Sequence, residues 1–141
     1  MAIDVTWKQN CEFEVSTENQ FHFSIDADNI SAPCPTEVLL SALGSCSATD
    51  VVMQLCDAGA MLASLTNRVT FTRTDTPPCL YKTITLNFVI SGENISTEQV
   101  DQAIRNALDK YCHVCLMLHP SIEVDYTFSL NAEAEIHEPA F

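Results

Sequence analysis

With 141 residues, 47% of them apolar, the chain suits one domain spanning residues 1–141 that can bury a core without disulfide staples. Its six basic and 19 acidic side chains give a formal net charge of −13, with no basic cluster for nucleic acid and the wrong sign for an anionic membrane surface. The acid excess sets solubility and opposes a multiply charged anionic ligand, so a neutral or weakly charged small molecule is expected.

Three glycines, none grouped in a phosphate-binding loop, exclude P-loop and dinucleotide designs. The N-terminus, MAIDVTWKQN, has no basic segment followed by an apolar run, and no stretch supplies the ~18–20 consecutive apolar residues of a membrane span. Seven cysteines without a framework spacing fit a reducing compartment, and the cytoplasm is the expected location.

In chain order, Ile3, Val5 and Trp7, then Phe13 and Val15, then Phe21, Phe23 and Ile25 alternate with polar residues, predicting three short antiparallel strands. Pro35 suits the first turn of a helix. From Thr36 to about Ala60 the sequence TEVLLSALGSCSATDVVMQLCDAGA is apolar on nearly every face, which predicts a helix buried on all sides and partly covered by a second subunit. Gly44 costs a helix interior roughly 1 kcal/mol relative to Ala, and close approach of another backbone is the expected compensation.

Two strands follow, about Thr66 to Arg73 and Tyr81 to Ile90. Val69, Phe71 and Arg73 share a face of the first, and Ile84, Leu86 and Phe88 share a face of the second. Ser96 reads as the N-cap of a helix carrying Val100, Ile104 and Leu108 to about Lys110 or Tyr111. Cys112 to Leu118 is a short apolar helix or turn, Ile122 to Leu130 a last strand, and residues 132–141 a loose acidic tail. The order β-β-β-α-β-β-α-α-β is an α+β layout with helices on antiparallel sheet.

Among residues able to carry chemistry, Cys46 has small neighbours in Ala42-Leu43-Gly44-Ser45-Cys46-Ser47-Ala48, which leave room for a small substrate at the sulfur. The same spacing also suits a cysteine that merely fills a small core space. Cys112-His113-Val114-Cys115 opens a helix, where the N-terminus favours a thiolate and so a lowered pKa, but no upstream strand supports a thioredoxin-type unit. Cys112, His113, Cys115 and His119 offer soft metal ligands, yet no second half-site matches them, and no metal is expected.

Glu37, in the first turn of the long helix, suits the helix dipole and also suits a carboxylate orienting a cation or substrate oxygen beside a thiol. On an ideal helix it faces away from Cys46, ~13.5 Å along the axis, so a thiol served by Glu37 belongs to a partner subunit. Asp50, one turn after Cys46 on the same face, can touch that cysteine's surroundings, though a carboxylate there raises a thiol pKa. Cys56 is expected in the core. Of the cysteines without a motif, only Cys34, set between two prolines, is expected to be exposed.

The stretch Pro35-Thr36-Glu37-Val38-Leu39-Leu40-Ser41-Ala42-Leu43-Gly44-Ser45-Cys46 resembles the central helix of the OsmC/Ohr proteins, and Lys110-Tyr111-Cys112-His113-Val114 resembles their second cysteine segment. The resemblance covers nearly the whole chain. It implies an OsmC-like fold, antiparallel sheets packed around a long buried central helix in an intertwined homodimer. It further implies reduction of small organic hydroperoxides, with Cys46 as peroxidatic and Cys112 as resolving residue, Glu37 in support, and an external dithiol reductant. No cofactor is expected.

One departure stands out. The family's hydroperoxide reductases pair the glutamate with an arginine from the N-terminal strands, and this chain has no Arg before Arg68. Lys8, Arg68, Arg73 or Lys110 substitutes, or Cys46 is a poorer nucleophile. The resemblance is therefore to a divergent OsmC-like branch. Cys115 is an extra thiol that can compete as resolver. The alternative is a non-catalytic OsmC-like protein binding a small hydrophobic or thiol ligand in the dimer pocket.

Overall fold

The computed structural model describes residues 2–131, so the tail expected at 132–141 lies outside the described residues. Two compact units divide between Ser41 and Ala42.

In the first unit, β1 (Ile3–Gln9), β2 (Glu12–Thr17) and β3 (His22–Asp26) form an antiparallel meander in that order. Its register sets Val5 opposite Val15 and Val15 opposite Phe23, so the alternating apolar residues share one face. Val15 is buried there, while Ile3 (63%), Trp7 (62%) and Phe23 (46%) stay exposed. Asn10 and Gln20 adopt the left-handed backbone (φ 47° and 65°) at the two turns.

The long helix α1 runs Pro35–Asp57. The Cys34 backbone N–H donates to the Glu37 carboxylate at 3.1 Å, so this glutamate caps its own helix. The helix stops short of Ala60 because Gly59 takes up the left-handed conformation (φ 91°) that ends helices.

In the second unit α1 buries Leu43, Ser47, Val51 and Leu55, a single stripe at helical spacing. Met53 and Cys56 lie off that stripe and are exposed, which corrects the expectation that Cys56 is core. Length and composition alone would let α1 cross a bilayer, but this stripe is buried within the protein. What approaches Gly44 is not another backbone but strand side chains. The Asn67 amide donates to its carbonyl at 3.0 Å, and Val69 Cγ2 would lie 3.0 Å from an added Cβ.

The second sheet has the order β4 (Met61–Arg73), β5 (Tyr81–Glu93), β6 (Glu123–Leu130). Both long strands exceed the sequence expectation because pairing continues through a bulge between Leu62 and Ser64, where side-chain alternation is lost. β5 and β6 are parallel, so this sheet is mixed rather than antiparallel. The helical crossover between them returns the chain to the same end of the sheet, which only parallel pairing accommodates. Ile84, Leu86, Phe88 and Ile90 alternate into the core, with Tyr126 beside Leu86 and Phe128 beside Phe88.

That crossover begins at Ser96. Its hydroxyl accepts the Gln99 N–H and the Gln99 side chain accepts the Ser96 N–H, a reciprocal cap that starts α2 (Thr97–Asn106). A π-helical turn, Ala107–Tyr111, then leads to α3 (His113–Leu118). Arg105 and the Tyr126 hydroxyl both bind Asp101, at 2.9 and 2.6 Å, tying α2 to β6.

Candidate active site

Cys46 and Asp50 stand one turn apart on α1, a spacing that puts both on one helical face. Gln54, one turn further, donates to the Asp50 and Ala103 backbone carbonyls at 3.1 and 2.8 Å and accepts from the Asn106 amide at 3.0 Å. These bonds fix α1 on α2, and α2 leads directly into the segment carrying Cys112.

The wide π turn, closed by Cys112 N–H to the Ala107 carbonyl at 2.7 Å, swings the chain out of the helix just before this cysteine. Cys112 is extended (φ −73°, ψ 105°) and caps α3 with its sulfur, which accepts the Cys115 N–H at 3.4 Å. As a result Cys46 Sγ, Cys112 Sγ and a carboxylate oxygen of Asp50 all lie within 4.8 Å of one another.

The two thiols differ in access. Cys112 is fully enclosed, whereas Cys46 is only partly buried. Burial pushes the Cys112 thiol up to about 12, with the neighbouring Cys46 and Cys115 adding to the rise and the Cys115 N–H opposing it. The lowered pKa expected of a thiol opening a helix is thus overturned, because desolvation outweighs the helix end. Cys115 is also buried, and its thiol is pushed up by burial, then by Asp109 and Cys46. Asp50 Oδ2 is buried without a hydrogen-bond partner among the described residues.

His113 and His119 are exposed, and the soft-ligand set Cys112, His113, Cys115, His119 does not form a metal-binding grouping among the described residues; Cys46 and Asp50 join Cys112 instead. The basic residues weighed as substitutes for the family arginine have their own settings. Lys8 pairs with Glu14 at 3.5 Å within the N-terminal sheet, and the Arg73 guanidinium lies over the rings of Phe71 and Tyr81. Arg68 and Lys110 are exposed. Sequence reasoning missed Gln54, Asn67 and Asn106, whose bonds between elements span 20 or more residues and leave no local signal.

A model of the OsmC-like protein family matches residues 25–127. The chain belongs to this family. It is similar to protein YhfA of Escherichia coli K12, 28% identical over 94% of this chain and 99% of the relative. Among solved structures, the OsmC-like protein of Mycoplasma pneumoniae superposes with a TM-score of 0.79 at 18% identity, over 92% of this chain and 95% of that one. The organic hydroperoxide resistance protein OhrB of Bacillus subtilis superposes at 0.61 and 11%, over 92% and 98%. At these identities the structures speak for the fold alone, which is the OsmC-like fold.

Proposed function

We propose that the chain is a cytoplasmic, homodimeric thiol peroxidase that reduces small organic hydroperoxides. One observation carries the reading. Two thiols 66 positions apart in sequence come within 4.8 Å, one accessible and one enclosed. That asymmetry supports the division of roles. Cys46 meets the peroxide and Cys112 waits behind it.

In the cycle, the Cys46 sulfur attacks the terminal oxygen of ROOH, an S–O bond forms and the O–O bond breaks. Asp50 takes the Cys46 proton and passes it to the departing alkoxide, releasing ROH. The Cys112 thiol then displaces water from the sulfenic acid to form the Cys46–Cys112 disulfide, and an external dithiol returns both thiols by exchange. No metal, haem or flavin enters these steps. Cys115, beside Cys112, is the competing resolver.

The subunit partner is supported by the N-terminal sheet, whose face carries Ile3, Val5, Trp7 and Phe23 largely exposed, a patch that calls for a cover. Two features favour a second reading, a non-catalytic protein binding a small hydrophobic or thiol ligand: a carboxylate beside the thiol pair, and the burial that holds Cys112 protonated.

Counting free thiols before and after one equivalent of cumene hydroperoxide decides between them. The peroxidase loses two thiols per subunit within seconds to minutes, faster than with hydrogen peroxide, and Cys46→Ser loses none. Unchanged thiols in the folded wild-type protein would leave the binding reading.

A further inference from the structure

The proton transfer given to Asp50 in the peroxidase cycle leaves its resting environment beside the two thiols unexplained. Asp50 presents a buried carboxylate oxygen without a hydrogen-bond partner among the described residues, an expensive arrangement unless something else meets it. One of its oxygens shares a sphere of 4.8 Å with two sulfurs. Two soft sulfur donors and one oxygen thus converge from a helix face and a helix cap, three of the four donors a tetrahedral cation takes.

We propose that Cys46, Asp50 and Cys112 form a three-ligand site for a thiophilic divalent cation of the zinc class, and that occupation of this site blocks the thiol chemistry. With metal–sulfur bonds of about 2.3 Å and a metal–oxygen bond of about 2.0–2.2 Å, tetrahedral ligands lie roughly 3.5–3.8 Å apart. Ligand atoms within 4.8 Å therefore need to close by about 1.3 Å at most, a distance that side-chain rotation can cover. Calcium and magnesium prefer six or more oxygens and fit this donor set poorly. The Cys115 N–H on Cys112 Sγ supplies an outer hydrogen bond that fixes one ligand's direction.

Binding releases two thiol protons and leaves a dithiolate-bound cation with a fourth position open. Held in this way, neither sulfur is free to attack a peroxide or to close a disulfide. The inhibitory half rests on the peroxidase reading, whereas the binding half does not.

The test uses the reduced, chelator-treated protein titrated with cobalt(II) as a spectroscopic stand-in. Expected are sulfur-to-cobalt charge-transfer bands saturating at one ion per subunit and abolished by zinc. Cys46→Ser and Cys112→Ser should each lose about half of the charge-transfer intensity, and Asp50→Asn should keep the intensity while weakening binding by at least the roughly tenfold that loss of an outer partner costs. Because a cysteine variant can misfold, zinc protection of the wild-type protein against iodoacetamide, mapped by mass spectrometry, gives a second reading. Zinc should shield the partly buried Cys46 and leave the exposed Cys56 unprotected, while Cys112, enclosed in either state, serves as the internal reference.

Charge-transfer bands absent at millimolar cobalt, bands undiminished in Cys46→Ser, or protection confined to Cys56 would each overturn the site. Peroxide consumption by the metal-free protein is scored separately. Metal binding without turnover removes only the peroxidase, and turnover without metal binding removes only this site.

Discussion

The two three-stranded sheets solve the problem of an apolar face in opposite ways. In the β4–β5–β6 sheet, Ile84, Leu86, Phe88 and Ile90 are at most 2% exposed. In the β1–β2–β3 sheet the equivalent alternation leaves Ile3, Val5, Trp7 and Phe23 open, and only Val15 is buried among its apolar strand residues. One sheet completes its core within its own unit, while the other presents a surface. The candidate site sits with the completed core, where α1, the π turn and α3 bring Cys46, Asp50 and Cys112 together.

The largest effect expected from this contrast comes from emptying the closed face. Phe88→Ala should cost about 3–5 kcal/mol, the usual penalty for deleting a fully buried aromatic side chain. Phe23→Ala, at a half-exposed position, should cost about 1 kcal/mol or less at low protein concentration. Urea unfolding of both variants at matched concentration checks the pair. Equal losses would mean that the first sheet carries a core of its own and the contrast is false.

A smaller effect sharpens the role of the open face. Val5→Asp places a charge at the centre of the exposed patch, opposite Val15. If that patch is the subunit interface, the dimer dissociation constant rises at least about tenfold, equivalent to ~1.4 kcal/mol. Sedimentation equilibrium reads this directly. A wild-type protein that is already monomeric, or a variant with unchanged association, would sink the assembly reading.

Much of this was legible in the residues. Strict alternation identified the first three strands, Pro35 marked the start of α1, and Ser96 announced α2. The failures share a cause, which is that long-range geometry leaves no local trace. Nothing in Tyr81–Glu93 or Glu123–Leu130 reveals that the strands run parallel, since both directions use the same alternation. Cys56 looked like core because all faces of α1 are apolar, and only the positions of Leu43, Ser47, Val51 and Leu55 show which face is used. The Cys46–Cys112 pair came from family resemblance. Asp50 could be placed near Cys46 by helical spacing, but its closeness to Cys112 depends on the π turn, which no periodicity announces.

The smallest effect concerns how the open sheet holds its end. Asp26, at the close of β3, is 2% exposed and its carboxylate accepts the backbone N–H groups of Asp28, Ile30 and Ser31 at 2.9, 3.2 and 3.1 Å. These bonds, that from Ser31 foremost, hold its pKa below the usual carboxylate range against the opposing pull of burial. A carboxyl group with a lowered native pKa binds fewer protons folded than unfolded. Its contribution is therefore complete above the unfolded value of about 3.9 and disappears as pH falls through the native one. Asp26→Asn removes that titration. With the single tryptophan, Trp7, as a fluorescence reporter within this sheet, the variant should show a lower urea midpoint than wild type at pH 7. The gap should close as pH falls below about 4. A gap that persists undiminished at pH 3 would show that the side chain's shape, not its charge, anchors the turn, and the open sheet would then lack the acid-sensitive end that sets it apart from the apolar closure of its counterpart.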